Sequence, residues 1–362
     1  MAGSPPVVVV GGGLAGALLA LALVEEGLPV TLVEDAPPSG RATDLSYGGI
    51  AWWAGGPDEL GRLIRGAPGR WRALQRRHGS LGFRPCGLRL HGGTVLEGLL
   101  RPPFARVDAC AFRRAVDALL PAVGVRLLRD RVVGPPQPRA RGWRLPLERG
   151  DALEAAAAAA AAGAGSAALW PQPPARLRTS WAGVLPLDTL PEGRPAAGSP
   201  WLEQGRAGRV VQPRHWRRRA LEQRAEAISG EEWIVDAGLA PWGQGALVGQ
   251  ITLLRPPAQE REPPDPEWME SRLREGLAAL DPALAALEAP CRVVPVAFCA
   301  DGLPLVGPIP DAEGLWAFTG FSGAFSQVPV LAPRLARALR LGRAGGLLPA
   351  GLLPASLLPR SG

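Results

Sequence analysis

Continuous apolar runs separated by glycine make up the first thirty-five residues. Val7–Val10 is a short run of valines, which favours a buried strand, and Val30–Val33 repeats the pattern. Between them, a group of glycines leads into an apolar segment of helical length. The order strand, glycine turn, helix and strand predicts a βαβ unit with two parallel strands.

The stretch Val7–Val24 also fits two other structures. It is 18 residues long and almost entirely apolar, so its length alone is compatible with a membrane-spanning helix or a signal-peptide core. However, no Lys or Arg precedes it, and a β-strand pattern follows it. The glycines would also weaken a spanning helix. The pattern therefore favours the βαβ unit.

Helical and extended patterns alternate in the next part of the chain. Apolar residues recur at helical spacing in Leu60–Arg77 and alternate as in a strand in Gly82–His91. Asp108 is placed to cap a further helix. The run Ala155–Ala162 has the best helix propensity. Because it ends in Ala-Gly-Ala-Gly-Ser, as a buried strand returning to a cofactor would, we predict a strand for its last half.

The second half of the chain predicts an antiparallel sheet and then a return to helix and strand. Four alternating stretches are separated by Gly and Pro: Arg178–Leu187, Arg209–Gln212, Glu232–Gly238 and Gly245–Leu254. After them we predict a helix at Trp268–Leu280, a strand at Val293–Phe298 and a last helix at about 325–341. The tail, 346–362, repeats Leu-Leu-Pro-Ala. We predict that it is loosely ordered, because proline prevents a long helix.

The composition narrows the possible chemistry. The chain has 362 residues, enough for one large or two medium domains, and it contains neither Lys nor Asn. A Schiff-base lysine and a P-loop lysine are therefore excluded. All 40 basic residues are Arg and the net charge is +7. Since the basic clusters have helical spacing and no nucleic-acid fold signature accompanies them, we predict solvated helix faces and no nucleic-acid partner.

Cysteine and histidine usage does not indicate a metal site. The four cysteines, Cys86, Cys110, Cys291 and Cys299, show no CxxC spacing, and the three histidines are scattered. The cysteines are typical of reduced thiols in a cytoplasmic protein. We therefore predict no bound metal and a cytoplasmic location.

The glycine turn itself predicts a dinucleotide site. In Gly11-x-Gly13-x-x-Gly16, the first glycine permits the turn, the second leaves room for a pyrophosphate, and the third lets the helix pack on the sheet. The N-terminus of the helix then faces the phosphates. Glu34 ends the second strand and is placed to accept hydrogen bonds from ribose hydroxyls. An acid there argues against NADP.

Four stretches together resemble the FAD-dependent oxidoreductases of the D-amino-acid oxidase type, a superfamily that includes glycine oxidase and sarcosine oxidase. They are the glycine turn with Glu34, the loop from Ala42 to Gly49, the return at 161–166, and the pair formed by 301–307 and 319–323. The resemblance covers roughly residues 6 to 340. The stretches 301–307 and 319–323 are the most specific part of the resemblance.

The resemblance implies an α/β and α+β fold. A Rossmann-like FAD-binding domain of the glutathione-reductase-2 type would comprise residues 1–82, 106–175 and 290–345, and an antiparallel β-sheet substrate domain would comprise 83–105 and 176–289. FAD would be bound non-covalently. The residues implied for it are Gly11, Gly13, Leu14, Ala15, Gly16, Glu34, Arg41, Ala42, Thr43, Gly48, Gly49, Val133, Ala162, Gly163, Asp301, Gly302, Gly320, Phe321, Ser322 and Gly323.

The chain departs from the family at the substrate positions. Glycine oxidase-like members hold the substrate carboxylate with two arginines, and the corresponding places here are Val296 and Gly323 or its neighbours. The cysteine that tethers flavin in sarcosine oxidases would fall near Val294, so we expect a dissociable FAD. The catalytic residues are not identified by the sequence. The candidates for substrate contact are Tyr47, Trp52, Trp181, His215 and Trp242.

Three functions are compatible with these features. The leading hypothesis is an FAD-dependent oxidase or dehydrogenase that oxidises a small or hydrophobic amine or amino-acid-like substrate. It would transfer a hydride to flavin N5 and then reduce oxygen or an electron carrier. The alternative is a non-catalytic FAD-binding member of the family that has lost the substrate arginines. A third possibility, an NAD-dependent dehydrogenase, predicts a colourless protein.

Overall fold

The computed structural model describes residues 6–35, 41–92, 102–190, 199–213 and 216–354. Its strands are β1 Val7–Val10, β2 Val30–Val33, β3 Gly49–Ile50, β4 Phe83–Cys86, β5 Leu88–His91, β6 Phe104–Val107, β7 Arg126–Leu128, β8 Gln137–Arg139, β9 Gly142–Pro146, β10 Ala152–Ala155, β11 Ala157–Ala160, β12 Leu177–Leu187, β13 Val210–Pro213, β14 Glu232–Trp242, β15 Gly245–Leu254, β16 Arg292–Cys299, β17 Leu305–Pro308 and β18 Leu315–Thr319.

The helices alternate with these strands. They are α1 Leu14–Glu25, α2 Glu59–Ile64, α3 Ala67–His78, α4 Ala109–Ala122, α5 Pro200–Arg206, α6 Trp216–Gln223, α7 Pro266–Leu280, α8 Pro282–Ala285 and α9 Ala324–Leu341. Two 3-10 turns lie at Gly163–Leu169 and Ala350–Leu352.

The predicted βαβ unit forms the centre of a six-stranded sheet. The strand order is β17-β18-β11-β1-β2-β7, and all neighbours except β17 and β18 are parallel. Val7–Val24 is therefore a strand followed by the twelve-residue helix α1. Within the described ranges, no helix combines the length and apolar character needed to cross a membrane.

The alanine run shows tertiary context overriding helix propensity. Ala157–Ala160 is the strand β11, which lies between β1 and β18 in the parallel sheet. The strand prediction is confirmed, although the strand begins two residues earlier than the last half of the run. The small side chains suit this central position, because Ala159 and Ala161 are buried in the main core beneath α1 and α9.

The helix predicted over Leu60–Arg77 is divided into α2 and α3. Gly66 separates them, and Pro68 lies in the first turn of α3, where its missing N–H causes no loss. Trp71 anchors α3, because its Nε1 donates to the Phe325 carbonyl at the start of α9 over 2.8 Å. The two ends of the chain are thereby packed into one core.

A second six-stranded sheet has the order β16-β12-β15-β14-β13-β5. Its neighbours are antiparallel except β13 and β5, which are parallel. Helix α7 packs on one face through Met269, Leu273 and Leu277. The predicted α/β and α+β fold, with a Rossmann-like part and an antiparallel sheet, is confirmed. The residue boundaries of the two domains stay a prediction.

The carboxyl-terminal tail differs from its expected loose order as far as residue 354. Leu348 and Leu352 are buried in the main core, and Ala350–Leu352 forms a 3-10 turn. The repeated leucines provide an apolar face that proline does not disrupt in a single short turn. Residues 355–362 lie outside the described part of the chain.

Candidate cofactor and substrate cleft

A cleft of about 1680 Å³ lies between the carboxyl edge of the parallel sheet and the open face of the antiparallel sheet. This exceeds the about 300–1,000 Å³ of ordinary ligand pockets, so it has room for a dinucleotide together with a substrate. Most of the predicted cofactor residues line it: Gly11, Gly13, Leu14, Ala15, Arg41, Ala42, Thr43, Gly49, Ala162, Gly163, Asp301, Gly302, Gly320, Phe321, Ser322 and Gly323.

Four predicted cofactor residues do not line the cleft. Gly16, Glu34 and Gly48 lie behind its wall, and Val132 lines the cleft where the sequence pointed to Val133. Val133 is 40% exposed on the surface. In an extended segment neighbouring side chains point to opposite sides, so a role for Val133 at the cofactor stays a prediction.

The glycine turn leaves a space that side chains would fill. Gly11 has a φ of +108°, and a Cβ there would lie 2.5 Å from the Ala161 carbonyl oxygen. A Cβ on Gly16 would lie 1.7 Å from the Gly11 carbonyl oxygen, which explains why helix α1 can approach the turn so closely. At Gly13 the nearest atom to a Cβ would be Thr43 Oγ1 at 3.0 Å. At Gly11 and Gly16 the turn is therefore packed tightly against backbone atoms, whereas at Gly13 it is open towards the cleft.

Two helix N-termini face this space without an acidic residue in their first turns. Helix α1 begins after Gly13, which offers no side-chain cap, and the Leu14 N–H donates to Thr43 Oγ1 over 3.0 Å. Helix α9 begins after Gly323, whose N–H donates to Gln327 Oε1 over 3.2 Å. Positive helix ends attract phosphate or a negatively charged ring edge. The two helix ends are therefore suited to the negatively charged groups of a dinucleotide cofactor.

Three arginines pair with Glu34, and the sequence had singled out only Arg41 among them. Its side chain is 3% exposed, and its Oε1 lies 2.6 Å from Arg41 Nη2 and 2.9 Å from Arg113 Nη1. Arg129 also pairs with it through Oε2. Arg113 further donates to the Gly12 carbonyl over 2.9 Å, which connects Glu34 to the glycine turn. That Glu34 binds ribose hydroxyls stays a prediction.

The carboxyl-terminal motif is fixed by an ion pair. Arg176 Nη1 lies 2.6 Å from both oxygens of Asp301 and donates to the Leu303 carbonyl over 2.7 Å. This pair stabilises the turn that follows β16. Charged hydrogen bonds of this kind are stronger than neutral ones, so the turn that lines the cleft has a defined conformation.

None of the four cysteines, all of them within the described residues, lines the cleft. Burial raises the pKa of Cys291 and of Cys299 to about 12, so both stay protonated at neutral pH. Cys299 is fully buried, whereas Cys291 is partly buried. Val294 and Val296, the places of the family's tethering cysteine and substrate arginine, both line the cleft.

The five candidates for substrate contact differ in whether they line the cleft. Tyr47 and Trp181 line the cleft, whereas Trp52 packs against the main core. Trp181 and Trp242 use their indole N–H groups structurally, donating to Glu260 over 2.9 Å and to Asp44 over 2.8 Å. His215 lies outside the described residues.

Tyr47 connects the loop from Ala42 to Gly49 (the cofactor loop) to the antiparallel sheet. Its hydroxyl donates to the Gly249 carbonyl over 2.8 Å. Burial, together with the nearby Asp236, raises the pKa of Tyr47. The phenol is therefore protonated at neutral pH and is not available as a base.

We expect Tyr47→Phe to lower stability without changing the pH dependence of flavin reduction. Loss of one hydrogen bond should cost about 1 kcal/mol, measured as the shift in the urea midpoint of the FAD-loaded protein. The rate of flavin reduction should keep its pH profile, because the phenol does not ionise in that range. A lost ionisation in Tyr47→Phe would contradict this assignment.

Charged and polar residues that the sequence did not single out line the substrate end of the cleft. They are Asp236 and Gln250 on the antiparallel sheet, and Arg218, Arg219 and Glu222 on α6. No motif marks them, because they come from an alternating strand and from a helix whose arginines look like a solvated face. The cleft thus contains both cationic and anionic groups beside apolar side chains.

Comparison with known proteins identifies the family. Residues 6–101 match the family model described as FAD-dependent oxidoreductase. This match places the glycine turn, Glu34 and the Ala42–Gly49 loop in one domain type. Over these residues the chain resembles the FAD-dependent oxidoreductases of the D-amino-acid oxidase type. The predicted family and enzyme class are therefore confirmed.

Solved structures share the fold of this chain at low sequence identity. Glycine oxidase from Geobacillus kaustophilus is 17% identical with a TM-score of 0.71, covering 97% of this chain and 98% of the other. L-proline dehydrogenase from P. horikoshii is 15% identical with a TM-score of 0.69, covering 98% of each chain. Iminodiacetate oxidase from Chelativorans sp. BNC1 is 17% identical with a TM-score of 0.64, covering 95% and 97%. No curated protein sequence matches.

Proposed function

We propose that this FAD-dependent oxidoreductase oxidises the C–N bond of an amine or amino-acid-like substrate. The observation that carries the proposal is the continuous cleft, which joins the glycine turn at Gly11 to the polar face of the antiparallel sheet at Asp236 and Gln250. Bound FAD would supply the hydride acceptor. The structural neighbours named glycine oxidase and iminodiacetate oxidase support a C–N substrate.

The protein's own residues would bind and orient the two molecules. The N-terminus of α1 and the open space at Gly13 would hold the pyrophosphate. The N-terminus of α9 would stabilise negative charge on the reduced ring through its N–H groups and dipole. The apolar side chains Val294 and Val296 would exclude water from the substrate end.

Arg218 and Arg219 favour this enzyme over a non-catalytic FAD-binding protein. The family's substrate arginines are replaced at Val296 and Gly323, but α6 supplies two guanidinium groups to the cleft from another element. A carboxylate on the substrate would find a cationic partner there. The substrate end has therefore kept the charged groups that a binding-only protein would not need.

Anaerobic reduction of the flavin tests the proposed function. We expect the purified protein to be yellow and to bleach in the absence of oxygen when mixed with at least one member of a panel of amines and amino acids. Hydroxy acids serve as the control panel and should not reduce it. A yellow protein that no amine bleaches would support the non-catalytic alternative, and readmitted oxygen distinguishes an oxidase from a carrier-dependent dehydrogenase.

We also propose that FAD is dissociable, because no cysteine within the described residues lines the cleft. Acid precipitation should leave the yellow colour in the supernatant and a colourless pellet. A coloured pellet that retains flavin fluorescence would show a covalent link. The cytoplasmic location stays a prediction.

A further inference from the structure

Asp236 occupies an irregularity in the antiparallel sheet that directs it into the cleft. Val235 pairs with Ile251 and Gly238 pairs with Gly249, so two residues, Asp236 and Ala237, lie opposite Gln250 alone. This is the arrangement of a β-bulge, which changes the direction of a side chain and is frequent beside functional sites. Asp236 and Gln250 both line the substrate end of the cleft.

The Asp236 carboxylate differs from the other buried carboxylates of the described residues. Glu34, Asp108 and Glu260 are also buried, and each accepts a hydrogen bond from an arginine, over 3.1 Å, 3.1 Å and 2.6 Å. Asp236 is 6% exposed, yet its Oδ2 has no hydrogen-bond partner among those residues. A buried carboxylate oxygen without a hydrogen-bond partner is costly, so the site is suited to a cation supplied by a ligand.

The groups that face Asp236 come from one strand, one helix and a loop. They are Tyr47 from the cofactor loop, His91 from β5, and Arg217, Arg218 and Glu222 from α6. His91 donates its Nε2 hydrogen to the Ala237 carbonyl, so it does not neutralise the carboxylate directly. Burial raises the pKa of Asp236, against the opposing effect of the arginines and His91. The carboxylate is thereby a better proton acceptor than an exposed aspartate.

We propose that Asp236 binds the protonated amino group of the substrate and accepts its proton. The N–H bond breaks, an O–H bond forms on Asp236, and the lone pair returns to nitrogen, which makes the amine ready for oxidation at the adjacent carbon. The substrate is therefore a cationic amine, with or without a carboxylate for Arg218. This inference rests on the proposed function for the proton step, whereas the cation site stands independently of turnover.

Binding of benzamidine tests the cation site without requiring oxidation. Benzamidine is a cation with N–H donors and has no hydrogen on the carbon attached to nitrogen, and benzamide is its neutral counterpart. We expect the FAD-loaded protein to bind benzamidine more tightly than benzamide, measured by the change in flavin absorbance. Asp236→Asn should weaken benzamidine binding about 30-fold and leave benzamide binding unchanged.

Glu232→Gln is the matched control. Glu232 lies on the same strand, outside the cleft, and pairs with the exposed Arg224, so its substitution should not change benzamidine binding. If Asp236→Asn does not take up FAD, Asp236→Ser provides the same test. Equal binding of benzamidine by the variant and the parent protein, or no preference for benzamidine over benzamide in the parent, would overturn the inference.

Proton transfer to Asp236 is tested separately, by the pH dependence of flavin reduction. With an amine that bleaches the parent protein, Asp236→Asn should reduce flavin slowly at pH 7 and recover as the pH approaches that at which the free amine predominates. A slow rate that high pH does not restore would show that Asp236 does not accept the proton. If no amine bleaches the protein but benzamidine binds through Asp236, the proposed function fails and the cation site remains.

Discussion

Replacing Gly16 by alanine is expected to abolish FAD binding and to destabilise the protein by about 3 kcal/mol. The added Cβ would lie 1.7 Å from the carbonyl oxygen of Gly11 and 2.9 Å from its carbon. Neither is the end of a flexible side chain, so α1 must move away from the turn. The pyrophosphate space depends on that close approach. Urea unfolding and FAD content of the purified protein measure the two effects.

Two other glycines provide a graded control. Gly69 lies in α3, has an ordinary φ and has no atom within 4 Å of an added Cβ, so Gly69→Ala should be neutral or stabilise by up to about 1 kcal/mol. Gly13→Ala meets only Thr43 Oγ1 at 3.0 Å and should weaken FAD binding while the apoprotein stays folded. Full FAD content in Gly16→Ala would show that the turn does not hold the cofactor.

Replacing Glu34 by alanine is expected to cost about 3–5 kcal/mol of stability, because it removes the carboxylate shared by three arginines. Arg41, Arg113 and Arg129 would face one another around a buried space without their anion. The repulsion would displace Arg113 from the Gly12 carbonyl and so disturb the glycine turn. FAD affinity should fall together with the urea midpoint of the apoprotein.

The stability of the apoprotein separates this explanation from a simple loss of ribose contacts. If Glu34 acted only on the cofactor, Glu34→Ala would weaken FAD binding but leave apoprotein stability unchanged. Glu26→Gln serves as the matched control, because Glu26 pairs with Arg340 on the partly exposed surface. Such a pair contributes about 0–1 kcal/mol, and this variant should bind FAD normally.

The elements that the sequence predicts well are those whose pattern is local. The valine strand, the glycine turn and α1 follow one another within the first 25 residues, so periodicity and turn chemistry agree there. Asp108 caps α4 as expected, accepting from the Ala111 N–H over 3.0 Å. The strand at Ala157–Ala160 was predicted from the Ala-Gly-Ala-Gly-Ser sequence that ends the alanine run, because propensity alone favours a helix.

The residues that the sequence did not reveal depend on distant contacts. Arg113 and Arg129 lie 79 and 95 positions from Glu34 in the chain, and no local pattern connects an arginine on a helix to an acid on a strand. Asp236 looked like one position in an alternating strand. Its side chain is directed into the cleft by a β-bulge, and this bulge exists only when β14 and β15 are paired. A polar residue in a strand is therefore assigned to a site only after the register is known.

The position of β11 and β18 in the parallel sheet determines when the protein can finish folding during synthesis. The strands β1, β11 and β18, which follow one another across the sheet, begin at residues 7, 157 and 315, so the sheet is completed only when nearly all of the chain has been synthesised. Helix α1 is buried along most of its length and packs against α9. Until α9 has been synthesised, the apolar surface of α1 lacks this cover, and exposed apolar surface of this kind favours aggregation of the nascent chain.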